Sequence, residues 1–318
     1  MKRVCLVCVG LLAAAVLVGC QQPTQTTRSQ QISVAIDADK TGEPISKYIY
    51  GQFIEHLGRC IYGGIWAEML EDRKFYFPIT DDYKPYSTDD KDKMVGYFPI
   101  LTGSPWRIVG LAGSVEMVTE DSYVGEHTPK IQLAGDGAAA GIEQPRLALI
   151  KGKEYVGRIV LAGSPEAAPI KVSLIWGKGK KGRQTVTVDK ICDEFTKVPL
   201  HFKAKAATNN ARLRIVGKGK GTFIIGTVSL MPADNVDGMR ADTLKLLKQL
   251  NSPVYRWPGG NFVSGYDWKD GIGDPDKRPP RKNPAWTGIE HNDFGVHEFI
   301  RFCREINTEP YIAVNSGL

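Results

Sequence analysis

Residues 97–231 carry the pattern that most restricts the fold, because this long stretch contains short alternating apolar runs and no convincing long helix. Glu154 to Leu161, Ile170 to Trp176 and Thr222 to Leu230 are examples of such runs. Gly, Pro and Asp interrupt the stretch about every 8 to 15 residues, a spacing typical of β-sandwiches. The sequence therefore predicts an inserted all-β sandwich or jelly roll over residues 96–234.

The segments on either side of this stretch alternate between strand and helix patterns. Tyr48 to Ile54 predicts a strand, and residues from Gly63 to Phe75 repeat apolar side chains at helical spacing. Val254 to Trp257 and Tyr311 to Asn315 predict two more strands, each preceded by a helical pattern. This alternation indicates an α/β fold with a parallel sheet. We therefore predict the N-terminal part of a (β/α)8 TIM barrel, about three of its eight units, interrupted by the sandwich.

The same patterns predict the domain boundaries. Residues 32–79 contain a first strand, Ile32 to Asp37, and the first barrel unit. Residues 80–95 are dominated by Asp, Lys, Tyr, Ser and Thr and are predicted to be a linker. Residues 235–318 contain barrel units two and three, with Asn292 as the predicted N-cap of the last helix.

The N-terminus is organised like a bacterial export signal. Two basic residues precede an apolar stretch from Val4 to Val18, which is too short for a comfortable membrane span. Gly19-Cys20 then resembles a bacterial lipobox; the alternative is an ordinary signal peptide with a chance cysteine. We expect residues 1–19 to be a lipoprotein signal peptide, Cys20 to be lipidated and residues 20–31 to be a tether. The protein would then be exported and held at the cell envelope by this lipid anchor alone.

Net charge and cysteine usage exclude several classes of function. The net charge of +6 is too mild to indicate nucleic-acid binding. The densest basic run, Lys178 to Arg183, is Gly-rich and is interpreted as a solvated hairpin loop. Cys60, Cys192 and Cys303 are widely spaced, which predicts neither a disulfide framework nor a metal site. The sequence gives no sign of an organic cofactor, and we predict none.

Polar side chains stand at the carboxyl ends of the predicted barrel strands. Glu55 follows the first strand, Arg256 and Asn261 flank a glycine pair after the second, and Asn315 ends the third. In a barrel these ends converge on one face. A carboxylate, a guanidinium and two amides there suit a hydroxyl-rich ligand, against which Trp286 can stack. The alternatives are structural: a strand-end salt bridge for Glu55 and a plain turn for the glycine pair.

Several motifs outside the middle segment are long and specific. They are Tyr50 to Arg59, Gly63 to Leu70, Arg256 to Phe262, Asp270 to Gly273, His297 to Phe299 and Glu309 to Tyr311. Through them, residues 45–78 and 237–318 resemble glycoside hydrolase family 51 α-L-arabinofuranosidases. The resemblance implies retaining hydrolysis of terminal α-L-arabinofuranosyl residues in arabinan- or arabinoxylan-type plant glycans. The middle segment resembles, less specifically, carbohydrate-binding modules of the family 4/9 type.

The resemblance also implies roles for individual residues. In the family, the residues that match Glu55 and Asn261 hydrogen-bond the arabinofuranose, and the arginine that matches Arg256 supports the active-site carboxylates. The tryptophan that matches Trp286 helps to form the pocket wall. Asn315, at the end of the third strand, is added as a substrate-binding residue. The resemblance also allows a homo-oligomer of the complete enzyme.

The catalytic pair is where this sequence departs from the family. The acid/base follows the fourth strand and the nucleophile comes later still, so both are expected beyond Leu318 and no catalytic residue is predicted in this chain. The nearby Glu290, Glu298, Glu305 and Glu309 occupy helix or loop positions and are poor substitutes. We therefore expect an N-terminal fragment that is inactive alone. The alternative is a cell-surface lipoprotein that binds carbohydrate without hydrolysing it.

Overall fold

The computed structural model describes residues 32–87 and 99–317. The described residues fall into two units, one before Ser46 and one from Ser46 onwards, which are described separately. The predicted signal peptide, Cys20 and the tether lie outside the described residues, as does the second half of the predicted linker. No helix in the described part of the chain is long and apolar enough to cross a membrane.

In the first unit, residues 32–45 are exposed and form neither helix nor strand. The strand predicted for Ile32 to Asp37 is therefore wrong. Its alternating side chains are present, but the described residues of this unit contain no second strand to share backbone hydrogen bonds with it. The polar contacts of the segment are local, such as the 3.3 Å ion pair between Lys40 Nζ and Asp37 Oδ2.

The second unit contains two antiparallel sheets of five strands each, built from residues 99–232, which we call the sandwich. In spatial order, the strands of the first sheet are Arg107–Val109 (β2), Ala140–Leu149 (β5), Thr208–Gly217 (β10), Ile170–Ile175 (β7) and Arg183–Val188 (β8). Those of the second sheet are Val115–Val118 (β3), Thr128–Ala134 (β4), Lys220–Pro232 (β11), Glu154–Gly163 (β6) and Thr196–Lys203 (β9). The predicted β-rich, sandwich-like architecture is confirmed.

An apolar core fills the sandwich. Successive side chains of a strand point to opposite faces, so the alternating runs supply one inward-facing row per strand. Ile131, Ile142, Ile159, Leu213 and Phe223, from different strands, are fully buried in this core. The short runs seen in the sequence are therefore the inner rows of two packed sheets.

The remainder of the second unit, residues 46–79 and 233–317, is called the α/β part. Its three parallel strands are, in spatial order, Gln52–Phe53 (β1), Val254–Trp257 (β12) and Glu309–Ile312 (β15). Its helices are Ala241–Leu250 (α1) and Val296–Glu305 (α2), and a small hairpin joins Arg281–Lys282 (β13) to Ile289–Glu290 (β14). Short 3-10 turns lie at Lys47–Tyr50, Val263–Gly265 and Trp268–Gly271. The predictions for β12 and α1 are confirmed, whereas β1 is shorter than predicted.

The helix predicted from Gly63 to Phe75 does not form. Ala67 N donates to Gly238 O at 2.7 Å, and Met69 N donates to Leu230 O at 3.0 Å. These donors are used outside the segment, so the hydrogen bonds of a helix cannot form. The apolar side chains at helical spacing instead pack from a series of turns.

The last helix and strand differ from their predicted limits. Gly295, rather than Asn292, is the N-cap of α2, and Glu298 Oε2 accepts from Gly295 N at 2.9 Å. Asn292 lies in the turn before the helix, with a φ of 56°. Strand β15 ends at Ile312, so Asn315 lies in the loop beyond it.

Candidate functional site

The polar residues predicted from the sequence lie around the carboxyl edge of the parallel sheet. Glu55 comes two residues after β1, and Ile54 N still donates to Arg256 O of β12 at 2.9 Å. Asn261 lies in the turn after β12, and Asn315 lies after β15. Since parallel strands end on the same side of a sheet, all these residues occupy one edge.

The Glu55 carboxylate is the best-defined group at this edge. Its Oε1 accepts from Phe262 N at 3.0 Å and from Trp286 Nε1 at 2.9 Å. The residue is only 7% exposed. A Cβ at Gly259 would lie 2.3 Å from Glu55 Cγ, so the glycine lets the turn pass against the carboxylate. Within the described residues Glu55 Oε2 makes no hydrogen bond, which leaves this oxygen available to a donor.

Trp286 is positioned for this contact by an Asx turn. Asn283 Oδ1 accepts from Trp286 N at 2.8 Å and from Ala285 N at 3.1 Å. Asn283 Nδ2 donates to His56 O at 2.8 Å, which attaches the loop to the segment after β1. The half-buried indole therefore lies beside Glu55, and its role as the wall of a sugar pocket stays a prediction.

Arg256 lies at the same edge but does not pair with Glu55. Its guanidinium donates to Gly259 O at 3.2 Å and lies over the rings of Phe53 and Tyr311, at 5.1 and 6.0 Å. It forms no ion pair with a described carboxylate. Its predicted role in supporting active-site carboxylates stays a prediction, and its charge lies close to the sheet edge.

The two predicted asparagines differ in their surroundings. Asn261 is exposed, and its side chain makes no hydrogen bond to any described residue. The amide of Asn315 is already used, because Nδ2 donates to Ser264 O and Oδ1 accepts from Gly317 N at 2.8 Å. Asn261 is therefore free to meet a ligand, whereas Asn315 connects the loops that follow β12 and β15.

Sequence reasoning missed a buried chain of hydrogen bonds next to Glu55, formed by Trp257, His56 and Glu290. His56 Nδ1 lies 2.6 Å from Glu290 Oε2, and Trp257 Nε1 donates to His56 Nε2 at 2.9 Å. An indole nitrogen can only donate, so His56 Nε2 is an acceptor and the proton lies on Nδ1. The imidazole also stacks on Phe262, with ring centroids 4.5 Å apart. The sign of this site in the sequence was that His56 directly follows Glu55 at the carboxyl end of the first predicted strand.

Glu290 is the last residue of this hydrogen-bond chain and is held as a carboxylate. Burial alone would raise the pKa of Glu290, but His56 and Tyr62 outweigh burial and hold that pKa below its usual value. Tyr62 Oη donates to Glu290 Oε1, and Asn292 N donates to the same oxygen at 2.7 Å. Glu290 therefore orients His56 rather than facing a ligand. The pairing joins residues 234 positions apart, so local sequence patterns could not reveal it.

Buried charges hold the loop that carries Trp286. Arg73 donates to both carboxylate oxygens of Asp293 at 2.6 Å, and to Asp276 Oδ1 at 3.0 Å. Lys74 Nζ lies 2.8 Å from Asp293 Oδ1. Burial would raise the pKa of Asp293, but Arg73 and Lys74 outweigh it and hold that pKa far below its usual range. The loop is thus fixed by ion pairs that are removed from water.

The other glutamates near this end of the chain are engaged elsewhere. Glu298 pairs with Arg278 at 2.9 Å inside the protein. Glu305 lies 3.6 Å from Lys248. Glu309 opens β15, at the amino end of the sheet, so it lies at the opposite edge from Glu55.

The groups at the carboxyl edge suit a ligand that carries several hydroxyls. A fixed carboxylate oxygen accepts hydrogen bonds from hydroxyls, and a free amide both donates and accepts hydrogen bonds. An indole supplies an apolar wall. A cavity of about 30 Å³ beside His56, Asn283 and Glu290 has room for water and not for a sugar ring. A larger cavity, of about 210 Å³, lies away from this edge beside Tyr83, Thr102 and Trp106.

Comparison with known proteins finds similarity over the last part of the chain. Residues 246–318 match the model of the alpha-L-arabinofuranosidase 1 domain. A probable alpha-L-arabinofuranosidase C from Aspergillus terreus is 49% identical over 86 residues, which are 27% of this chain and 17% of that relative. This segment is therefore similar to α-L-arabinofuranosidases, which agrees with the resemblance read from the sequence for this part of the chain. The chain spans about a sixth of the length of this relative.

Two solved structures are also similar to parts of this chain. An α-L-arabinofuranosidase from Thermotoga maritima, described as an arabinose complex, is 54% identical over 26% of this chain and 17% of its own, with a TM-score of 0.25. The CBM22-1 xylan-binding domain from Paenibacillus barcinonensis is 12% identical over 41% of this chain and 87% of its own, with a TM-score of 0.32. Carbohydrate binding by the sandwich stays a prediction.

Proposed function

We propose that this chain forms the arabinofuranose-binding part of a retaining α-L-arabinofuranosidase. The substrates would be terminal, non-reducing α-L-arabinofuranosyl residues of arabinan- or arabinoxylan-type glycans. The observation that carries the proposal is the buried Glu55 carboxylate. It is fixed through Oε1, while Oε2 has no hydrogen-bond partner among the described residues. In this proposal the three parallel strands are the first three of a (β/α)8 barrel, whose active site lies at the carboxyl ends of its strands.

The proposed ligand contacts follow from the available donors and acceptors. Glu55 Oε2 accepts a hydrogen bond from one sugar hydroxyl, and Asn261 contacts a second hydroxyl. Trp286 lies against the sugar ring. Arg256 contributes positive charge at the edge where the catalytic carboxylates of a retaining enzyme would stand. Such enzymes need two carboxyl groups about 5–5.5 Å apart.

We place that catalytic pair outside this chain. Glu290 orients His56, Glu298 is neutralised by Arg278, and Glu309 lies at the wrong edge of the sheet. The role proposed for this chain is therefore to bind and orient the sugar. The chain would contribute to catalysis through hydrogen bonds to sugar hydroxyls that strengthen in the transition state.

Calorimetric titration of the 318-residue chain with methyl α-L-arabinofuranoside tests this role. We expect binding in about the millimolar range, as few contacts are available, and little binding of methyl β-D-xylopyranoside. Glu55→Gln keeps the shape but removes an acceptor oxygen, so affinity should fall about tenfold. Glu309→Gln, the same change at the opposite edge, should leave affinity unchanged. Equal affinity in the parent chain and Glu55→Gln would overturn the proposal.

We further propose that Cys20 carries a lipid and that the protein is held at the cell envelope. The support is the apolar stretch from Val4 to Val18 followed by Gly19-Cys20. Expression in a bacterial host with labelled fatty acid should label the parent protein and not Cys20→Ser. Equal labelling of both would show that the anchor lies elsewhere.

A further inference from the structure

The outer faces of the two sandwich sheets have different surroundings. The second sheet packs on the α/β part: Arg158 of β6 pairs with Asp276 at 2.6 Å, and Ser229 of β11 donates to Glu68 at 2.6 Å. On the first sheet, Lys171 of β7 and Thr185 of β8 are exposed to solvent. The first sheet therefore presents an accessible polar face, which we call the open face.

One cross-strand row on the open face runs through all five strands. Arg107 lies opposite Glu143, Glu143 opposite Arg214, Arg214 opposite Ser173, and Ser173 opposite Thr185. Residues directly opposite one another in antiparallel strands share a face. Ser173 Oγ and Thr185 Oγ1 lie 2.8 Å apart, which confirms the alignment. The row is therefore a continuous strip of charged and hydroxyl side chains.

A single buried carboxylate gathers three arginines in this strip. Arg107 pairs with Glu143 Oε1, while Arg214 NH2 and Arg212 Nε lie 2.7 and 3.2 Å from Oε2. Glu143 is buried, but the three guanidiniums are only partly covered. One negative charge cannot neutralise three positive ones. Arg212 Nε, moreover, is buried and has no hydrogen-bond partner of acceptable geometry.

Neighbouring rows add positive charge and hydroxyls but no aromatic ring. Lys171 lies opposite Thr187, and Arg183 lies opposite Ile175. Val109 and Val216 occupy the other positions beside β5. These rows of described strands therefore hold an excess of guanidinium and ammonium groups, and the ring of Tyr86 beside them already lies against Arg146 of β5.

We propose that the open face binds a glycan that carries carboxylate groups, such as a uronic-acid polymer. A guanidinium matches a carboxylate in a two-point hydrogen bond, and Glu143 holds Arg107, Arg212 and Arg214 in place for it. The exposed hydroxyl of Thr185, which lies 2.8 Å from the buried hydroxyl of Ser173, can meet a sugar hydroxyl. The choice of a glycan over another polyanion rests on the proposed function, but the anion-binding surface does not.

The test is calorimetric titration of the 318-residue chain with hexagalacturonate, and with neutral arabinohexaose in parallel. We expect hexagalacturonate to bind more tightly, and its affinity to fall as salt rises from about 50 to 200 mM, since the charges are partly exposed. The double variant R212Q/R214Q should bind about tenfold more weakly. The double variant K245Q/K248Q, an equal loss of charge on helix α1, is the matched control and should bind as the parent does.

Lys171→Gln keeps the test valid if the double variant does not fold, because Lys171 has no contact with Glu143. A two- to threefold loss of hexagalacturonate affinity is expected there, about the loss of one exposed charge. Equal affinity for arabinohexaose, or parent affinity in R212Q/R214Q, would overturn the proposal. Tighter binding of a DNA oligonucleotide of equal charge would overturn the assignment to a glycan. None of these outcomes depends on Glu55, so they are separable from the arabinofuranoside test.

Discussion

The sandwich and the α/β part differ in the side chains that fill their interiors. The sandwich core is apolar, with Ile142 and Leu213 fully buried between two paired sheets. The α/β part also has an apolar core, in which Trp257 and Phe299 are buried, but its described interior contains ion pairs around Asp293 as well. Apolar packing tolerates small shifts, whereas a buried charge needs its partner. The region that carries the candidate site is therefore the one that depends on individual polar contacts.

Removal of Asp293 should give the largest effect. Asp293→Ala leaves the guanidinium of Arg73 and the ammonium of Lys74 buried with less compensation, so the free energy of unfolding should fall by about 3–5 kcal/mol. Urea denaturation followed by tryptophan fluorescence measures the loss. Glu154→Gln, which breaks an exposed pair with Lys203, should change the free energy of unfolding far less. Similar losses in both variants would contradict the contrast.

A cavity in the sandwich core should come next. Leu213→Ala removes a fully buried side chain and should lower the free energy of unfolding by about 3 kcal/mol. Phe53→Ala, in the α/β part, changes a side chain that is 49% exposed and should cost less than half as much. The same urea titration compares the two. A larger loss for Phe53→Ala would show that the α/β part has a core of its own at β1.

A smaller effect should appear in the pH dependence of stability, through Asp72. Burial is the main reason that the pKa of Asp72 rises from 3.8 to about 7. A carboxyl group whose pKa is raised by folding stabilises the protein at low pH, and this contribution is lost as the pH rises through about 7. The stability of the parent relative to Asp72→Asn should therefore fall by roughly 2 kcal/mol between pH 5 and 7.

Measuring the two proteins side by side removes the contributions of other groups in that range. Burial lowers the pKa of His291 to about 4, for example, but His291 titrates in both proteins. A difference between parent and Asp72→Asn that stays constant with pH would show that Asp72 is charged inside the protein.

The smallest change in stability is expected at the candidate site itself. Trp286→Phe keeps an aromatic wall but removes the donor to Glu55 Oε1, so the free energy of unfolding should fall by about 1 kcal/mol or less. Affinity for methyl α-L-arabinofuranoside should fall several-fold, because the carboxylate is then held by Phe262 N alone. Unchanged affinity would show that Trp286 does not position Glu55.

The sequence predicted those parts of the molecule whose pattern is local. The alternating runs predicted the sandwich, and Val254 to Trp257 marked β12 at its observed limits. The helix predicted from Gly63 failed because backbone donors such as Ala67 N bond to distant segments, which no periodicity reveals. The strand predicted for Ile32 to Asp37 failed because alternation does not supply a partner.

The candidate site also combines features that a local sequence pattern predicts with features that depend on distant contacts. Glu55 and Trp286 could be placed together from strand ends and family resemblance, and the structure joins them by a hydrogen bond. The His56–Glu290 pair was out of reach because it connects segments far apart in the chain. Asn315 illustrates a third case, since its position was anticipated but its amide bonds to a neighbouring loop.

The most direct test of the central claim, that a sugar hydroxyl meets Glu55 beside Trp286, is a titration followed by the indole N–H resonances in NMR spectra. Methyl α-L-arabinofuranoside should shift the Trp286 resonance to saturation in the parent chain and leave it in place in Glu55→Gln. Trp268, which is 48% exposed, serves as an internal control and should not respond. A shift of Trp268 with no change at Trp286 would contradict the account.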